Sequence, residues 1–285
     1  MNKQSVMAQF DLTGQVAIIT GAGGALCGTL AHALAAVGMK VAVLDLNLEQ
    51  ARKVAHEIEQ AGGEAQPFAC DVMNEEQLHI CRERIETLWG PPHCLINGAG
   101  GNDPRGTTTE EFLEPGALDK EGVTGFFDLE YAGFQFVFGL NFMGTFLPTK
   151  VFAKSMVTAG RGSIVNISSM SALAPLTKVS AYSAAKAAVA NFTRWLSVHF
   201  AHTGVRVNAL APGFFMTEQL RFLHIDQTTG EYTPRAKKVI AHTPMGRYGE
   251  PEELIGTVIY LLSDASRFVT GNIVPIDGGF SSYSI

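Results

Sequence analysis

Gly162-Ser-Ile-Val-Asn-Ile-Ser-Ser169, followed after a short loop by Tyr182-Ser-Ala-Ala-Lys186, is the stretch from which the fold can be read. Ile164, Val165 and Ile167 are β-branched and lie in a short apolar run after the Arg161-Gly162 turn, the pattern of a buried parallel strand. From Tyr182 the chain becomes Ala-rich, and its apolar residues take helical spacing through Phe192, Trp195 and Leu196. A strand, a loop and a helix are therefore expected. Tyr182 and Lys186 share one helix face, and a hydroxyl, Ser168 or Ser169, ends the strand. Open α/β sheets collect ligands at the carboxyl ends of their strands.

These residue types suit proton transfer. An ordinary tyrosine titrates near pH ~10, too high for a base at neutral pH, but a neighbouring ammonium favours the phenolate and lowers that value. Lys186, one turn along, can supply the charge, and a serine hydroxyl can hold a carbonyl or alcohol oxygen beside the phenol. Tyr-x-x-x-Lys by itself is common on helix surfaces. Its meaning depends on a cofactor site elsewhere in the chain.

The amino-terminal part supplies one. Val16-Ala-Ile-Ile-Thr20 reads as a buried strand, Gly21-Ala-Gly-Gly-Ala-Leu-Cys-Gly28 as a glycine-rich turn, and the Ala/Leu-rich run to about Val37 as a helix. Such a turn brings backbone amides to a pyrophosphate at the positive end of the helix. A second strand closes on Asp45, placed to accept both hydroxyls of an adenosine ribose and to repel a 2′-phosphate, which favours NAD over NADP; Asp45 can equally cap the next helix. Asp71, after a third strand at Ala65 to Cys70, could meet the adenine amino group or cap the helix near Asn74 to Trp89. Asn97-Gly-Ala-Gly-Gly101 follows a fourth strand, and glycines there suggest close approach of a ligand.

Strands alternating with helices give a parallel sheet covered on both faces. No repeat, low-complexity tract or linker interrupts the 285 residues, so one α/β domain is expected over 1–285. Two irregular regions break the alternation. One, 102–131, leaves the fourth strand and carries Arg105; it could cover a substrate or be a surface excursion. The other, 214–245, could close as a lid and is expected to hold one helix near Glu218 to Leu223. A long helix is expected from Gly133 to Ala159, kinked or shifted by Pro148, with Asn141 inside it.

Composition narrows the class. Hydrophobic content of 46% and charged content of 17% fit a globular chain. A net charge of −6 without a basic block argues against a nucleic-acid surface. No apolar run approaches the roughly 20 residues of a membrane span, and Met1 to Asp11 lacks a signal-peptide core. Cys27, Cys70, Cys81 and Cys94 have no metal-ligand spacing and lie in or beside apolar runs, so reduced core thiols in a cytoplasmic protein, with no metal, are expected.

Taken together, Thr20-Gly21, Asp45, Asp71, Asn97-Gly-Ala-Gly100, Asn141, Asn166-Ile-Ser-Ser169, Tyr182-x-x-x-Lys186, Asn208, Pro212-Gly213 and Asp277-Gly-Gly279 resemble the short-chain dehydrogenase/reductase family, in its order and over nearly the whole chain. The resemblance implies a single-domain Rossmann-type doubly wound parallel sheet of about seven strands. It implies a catalytic set of Asn141, Ser169, Tyr182 and Lys186, with Ser169 favoured over Ser168 by its distance from Tyr182, and Asn141 holding a helix kink and a relay water. It implies NAD(H) contacts, in preference to NADP(H), at Gly21, Gly23, Gly24, Ala25 and Leu26, at Asp45, Leu46, Asp71 and Val72, and at Asn97, Ala99 and Gly100. Tyr182 and Lys186 contribute again, and the loop after the sixth strand adds Pro212, Gly213, Phe215 and Thr217. The sequence departs from the family's glycine turn at Ala25 and Cys27.

Within the family, Asn97-Gly-Ala-Gly-Gly-Asn102 with its insertion, Phe126-Phe127-Asp128, Phe138-Gly-Leu-Asn-Phe142, Pro175-Leu-Thr-Lys178, Pro212-Gly-Phe-Phe215 with Thr217-Glu-Gln219, and His242-Thr-Pro-Met-Gly-Arg247 resemble the D-mannonate oxidoreductase (D-fructuronate reductase) group. That second resemblance implies a sugar-acid substrate held by Ser169 and Tyr182. Arg105, Lys178 and Arg247 are the candidates for its carboxylate, and His242 is a candidate donor. The alternatives are a sibling enzyme acting on another polyol, ketose or β-ketoacyl substrate, and a non-catalytic NAD-binding regulator on the same fold. The family's habit implies a homotetramer built through the two long helices and the last strand, with Phe142, Phe146, Phe192 and Trp195 compatible with such contacts.

Overall fold

The unbroken apolar run Val16–Thr20 becomes β1, buried at every position as a central parallel strand must be. The computed structural model describes residues 1–118 and 120–284. Among them the other strands are β2 (Lys40–Asp45), β3 (Glu64–Ala69), β4 (Cys94–Asn97), β5 (Gly162–Ile167), β6 (Val205–Pro212) and β7 (Ile273–Ile276). Their order is β3-β2-β1-β4-β5-β6-β7, every neighbouring pair parallel. The chain order reverses between β1 and β4, so a crevice opens at their carboxyl ends.

The helices are α1 (Lys3–Met7), α2 (Ala25–Ala36), α3 (Leu48–Gln60), α4 (Glu75–Trp89), α5 (Tyr131–Phe138), α6 (Gly144–Ala159), α7 (Ser180–His199), α8 (Glu218–His224), α9 (Pro234–His242) and α10 (Ile255–Leu262). Alternate strand residues feed two cores. Ala17 and Ile19 pack with α2, α3 and α10, whereas Val16 and Ile18 pack with α4, α6 and α7. Each fully buried Ile or Leu in these layers contributes about 1.5–3 kcal/mol. The doubly wound Rossmann-type sheet is therefore present. All four cysteines are buried free thiols; burial pushes Cys27 and Cys94 up to about 12, so both stay protonated at neutral pH.

Several expectations need correction. The long helix starts at Tyr131 and is broken by a widened π-turn at Gly139–Met143, not at Pro148, which lies inside α6. The proline's missing N–H would have faced the carbonyl of Gly144, where the widened turn ends. This 29-residue helical stretch, Tyr131–Ala159, is also long and apolar enough to cross a membrane by length and composition, contrary to the expectation of no such run; half of its most apolar window is buried within the fold. The 214–245 region holds two helices rather than one. The missed helix, α9, has the Thr233 hydroxyl as its cap and Pro234 at its first position. The 102–131 region contains three short 3-10 turns and hydrogen-bonds to the β5–α7 loop through Thr108 N to Lys178 O, 3.0 Å.

Candidate active site

The Ser-Ser pair at the end of β5 divides its work. Ser168 Oγ donates to Lys186 O on α7 at 2.9 Å, so it fastens strand to helix. Ser169 caps the 3-10 turn Met170–Ala172, its Oγ accepting from Ser171 N at 3.1 Å, and its hydroxyl lies near enough to the Tyr182 phenol to favour the ionised form. Lys186 is buried, and its Nζ donates to Ile167 O at 2.8 Å and lies 5.5 Å from the centre of the Tyr182 ring. Ser169, Tyr182 and Lys186 therefore meet where the strand ends.

The electrostatics differ from the sequence expectation. Burial pushes the Tyr182 phenol above its ordinary value, and the neighbouring Ser169 hydroxyl only partly opposes that. Burial also pulls Lys186 down to about 8. Desolvation thus outweighs the anticipated lowering of the phenol by the ammonium. At neutral pH Lys186 is cationic and Tyr182 holds its proton.

Asn141 sits in the π-turn, fully buried. Its Nδ2 donates to Val137 O at 2.8 Å and to Gly101 O at 2.7 Å, tying the widened turn to the loop after β4. Two carbonyl partners identify that atom as the nitrogen. Its Oδ1 has no hydrogen-bond partner among the described residues. A Cβ added at Gly100 would fall 2.6 Å from this oxygen and 3.3 Å from Lys186 Nζ, so glycine is required here and the three residues converge. A buried acceptor without a partner beside an ammonium suits a water or ligand hydroxyl.

On the cofactor side, Gly21 adopts φ +66°, and a Cβ there would lie 2.9 Å from the Ala99 backbone. Thr20 Oγ1 accepts from Gly98 N at 3.1 Å and Ala99 N at 3.2 Å, joining the two glycine turns, a contact that the residue order did not announce. α2 starts after Gly24 with no side-chain cap, unlike α3 and α4, capped by Asn47 and Asn74. The Ala25 and Leu26 end of α2 therefore has N–H groups and a positive dipole to offer an anion. Asp45 accepts from Gly23 N and from Asn47 N, both at 2.9 Å, so its carboxylate lies against the turn and does not cap α3 itself. Leu46 is exposed beside it and Val72 is buried. Asp71 accepts from Met73 N at 2.8 Å rather than capping α4. This donor set and cradle fit a dinucleotide.

Other candidates are engaged within the protein. Asn97 is buried, its Nδ2 donating to Thr149 Oγ1 and Asn166 Oδ1, both at 2.8 Å, so its side chain is not presented to a ligand. Gly213 lets the end of β6 approach Asp277 after Pro212: an added Cβ would sit 2.7 Å from the Asp277 Cα. Phe215 is a core side chain packed over Gly249, and Thr217 accepts from Leu220 N as the cap of α8. Phe215 can offer only backbone to a cofactor in this arrangement, whereas the Thr217 hydroxyl keeps its own proton to donate. Arg105 is paired with Asp103 at 2.7 and 3.0 Å, and Arg247 with Glu253 at 2.7 Å twice. Both guanidiniums already hold a carboxylate, which weighs against the substrate-carboxylate role expected for them. Lys178 carries the one positive φ of a non-glycine among the described residues, +73°. His242 packs edge-on against Phe280 and Tyr283.

A family profile described as enoyl-(acyl carrier protein) reductase matches residues 21–281. An uncharacterised oxidoreductase of Haemophilus influenzae is 49% identical over 282 residues, covering 98% of each chain. A solved Haemophilus influenzae structure with bound NAD, described provisionally as a D-mannonate oxidoreductase, has a TM-score of 0.92 and 49% identity over 98% of this chain and 99% of that one. A gluconate 5-dehydrogenase from Burkholderia cenocepacia, in complex with NADP and tartrate, has a TM-score of 0.81 and 30% identity over 98% of this chain and all of that one. The chain belongs to the short-chain dehydrogenase/reductase family. It is an oxidoreductase of the NAD(P)-linked kind.

Proposed function

We propose that the chain interconverts a sugar-acid secondary alcohol and its ketone with NAD(H), the pair being D-mannonate and D-fructuronate. The convergence of Ser169, Tyr182 and Lys186 at the carboxyl end of β5 carries the reaction type. Likeness to the NAD-bound Haemophilus influenzae structure supports the substrate and cofactor. The nicotinamide, when bound, supplies or accepts the hydride at the substrate carbon.

The protein's own residues handle the proton. Ser169 Oγ holds the reacting oxygen beside the phenol. In reduction Tyr182 Oη donates its proton to that oxygen, and in oxidation the phenolate takes the proton back. Lys186, cationic below about pH 8, stabilises the phenolate left after donation. Asn141 Oδ1 and Lys186 Nζ then offer an acceptor and a donor for a water that returns the proton from solvent. Acid–base assistance of this kind contributes about 10²–10⁴-fold. Asp45, against the glycine turn, is the residue that favours NAD(H) over NADP(H).

The test is NADH consumption with D-fructuronate beside other keto-acids, ketoses and β-ketoacyl esters. Efficient turnover of D-fructuronate alone supports the reading. The likeness to a gluconate 5-dehydrogenase favours a second reading, another polyol or keto-sugar acid, which preferential turnover of 5-ketogluconate would select.

A further inference from the structure

We infer that Arg235 and Lys238 of α9, with Lys178, form the carboxylate-recognising set for the substrate, and that Glu111 of the 102–131 region occupies it as a tethered competitor. The inference rests on the sugar-acid reading above. It replaces Arg105 and Arg247, whose guanidiniums are already paired.

The location comes first. A cavity of about 340 Å³ is walled by Phe214, Arg235, Lys238, His242, Phe280 and the segment 174–177. That volume suits a small ligand. The segment 174–177 belongs to the loop joining Ser169 to Tyr182. The 3-10 turn carrying Phe280 rests on the turn Met170–Ala172, which Ser169 caps. The cavity therefore shares its walls with the chain segment bearing both reacting hydroxyls.

The charges come next. Arg235 and Lys238 are three apart on α9 and face one side. Arg235 has no ion-pair partner among the described residues. Lys238 is paired with Glu111, which lies in the insertion and also lines the cavity. Lys238, Lys178 and Arg235 together hold the Glu111 carboxyl below its usual range. Arg235 and Lys238 thus share the cavity wall with a carboxylate delivered by a loop, and Lys238 holds it directly. A sugar acid entering this cavity presents the same group, and an arginine can bind it with two parallel hydrogen bonds. Lys178 follows Thr177 of the cavity wall, and its carbonyl accepts from Thr108 N of the insertion at 3.0 Å.

The experiment compares KM for D-fructuronate with KM for the uncharged ketose D-fructose in Arg235→Gln, Lys238→Gln, Glu111→Gln and the control Lys237→Gln, whose partner is Glu231. Losing a charge-assisted contact should raise KM for the acid about 10- to 100-fold relative to the neutral ketose, with kcat little changed. Glu111→Gln should lower it, and Lys237→Gln should leave the ratio alone. Equal effects on both substrates, or none, would overturn the inference. Calorimetric binding of tartrate with NADH present, where no alcohol can be oxidised, reads the same set without turnover. If no sugar acid is turned over yet tartrate binds and Arg235→Gln and Lys238→Gln abolish that binding, the functional reading fails and the carboxylate site stands. Tartrate binding indifferent to both substitutions, or absent in the wild type, removes the site as well.

Discussion

Lys186 illustrates how function and stability oppose each other at one residue. Its ammonium is buried, with a single hydrogen bond, to Ile167 O, at 2.8 Å. A pKa lowered from 10.5 to about 8 corresponds to roughly 3 kcal/mol lost from the folded state at neutral pH. The unfolded chain binds the extra proton between those values, so this contribution to stability increases as pH rises from about 8 to 10.5 and is constant below. Lys186→Met should therefore raise Tm by several degrees in a thermal melt at pH 7 while abolishing turnover. The reduction rate should decline as pH rises through about 8, because the ammonium is lost there before the raised Tyr182 phenol gives up its proton; a rate flat to pH 10 would remove Lys186 from the role. Tyr182→Phe should keep NADH affinity, measured by fluorescence titration, and lose about 10³-fold or more in kcat. Asp45→Ala should weaken NADH and narrow the gap to NADPH, since its carboxylate lies where a ribose would meet the turn.

At the scale of elements, the informative feature is the π-turn between α5 and α6. Within it Asn141 Nδ2 binds the Val137 carbonyl one turn back and reaches across to the Gly101 carbonyl. The widened turn and the loop after β4 are thereby one unit, and Gly100 is the point of closest approach. Gly100→Ala would press a methyl into Asn141 Oδ1 and should cost about 1–3 kcal/mol in urea unfolding, together with most of the activity. Helical periodicity predicts a regular turn here and gives no sign of the extra residue; only the family resemblance implied a kink at Asn141. The second lid helix was legible in principle: Thr233 followed by Pro234 is a start signal. Its short apolar face, Ala236, Val239 and Ile240, packs on Phe214, Met216 and Tyr248 rather than on the main core, which is why the pattern was faint.

At the scale of the molecule, the π-turn, α6 and α7 present an aromatic ridge in which Phe142, Phe146 and Trp195 each touch Phe192, with ring centres 5.9 to 6.2 Å apart. Trp195 and Val198 are exposed on it, 57% and 75%. Such a patch, bordered by Lys150 and Lys154, is the face expected to be covered by another copy of the chain. Trp195→Glu should lower the mass measured by light scattering; an unchanged mass would remove that role from this face.

The sheet, its helices and the switch point follow from local sequence, because buried parallel strands read as unbroken apolar runs and amphipathic helices as a 3.6-residue period. The strand-end serines and the Tyr182–Lys186 face followed from the same periods, since residues one helical turn apart must be neighbours. What only the tertiary structure decided lies between segments far apart in the chain. Ser168 turned to the Lys186 carbonyl and Ser169 to the phenol because α7 packs on β5 at one rotation. Arg105 and Arg247 proved to be held by nearby carboxylates, whereas Lys238 was brought to Glu111 from more than 100 residues away and Arg235 to the same cavity. The buried lysine and half-buried tyrosine took their ionisation from desolvation, a property of everything packed around them. Spacing along the chain specifies which residues share a face; which faces meet, and how much water they exclude, is set by packing.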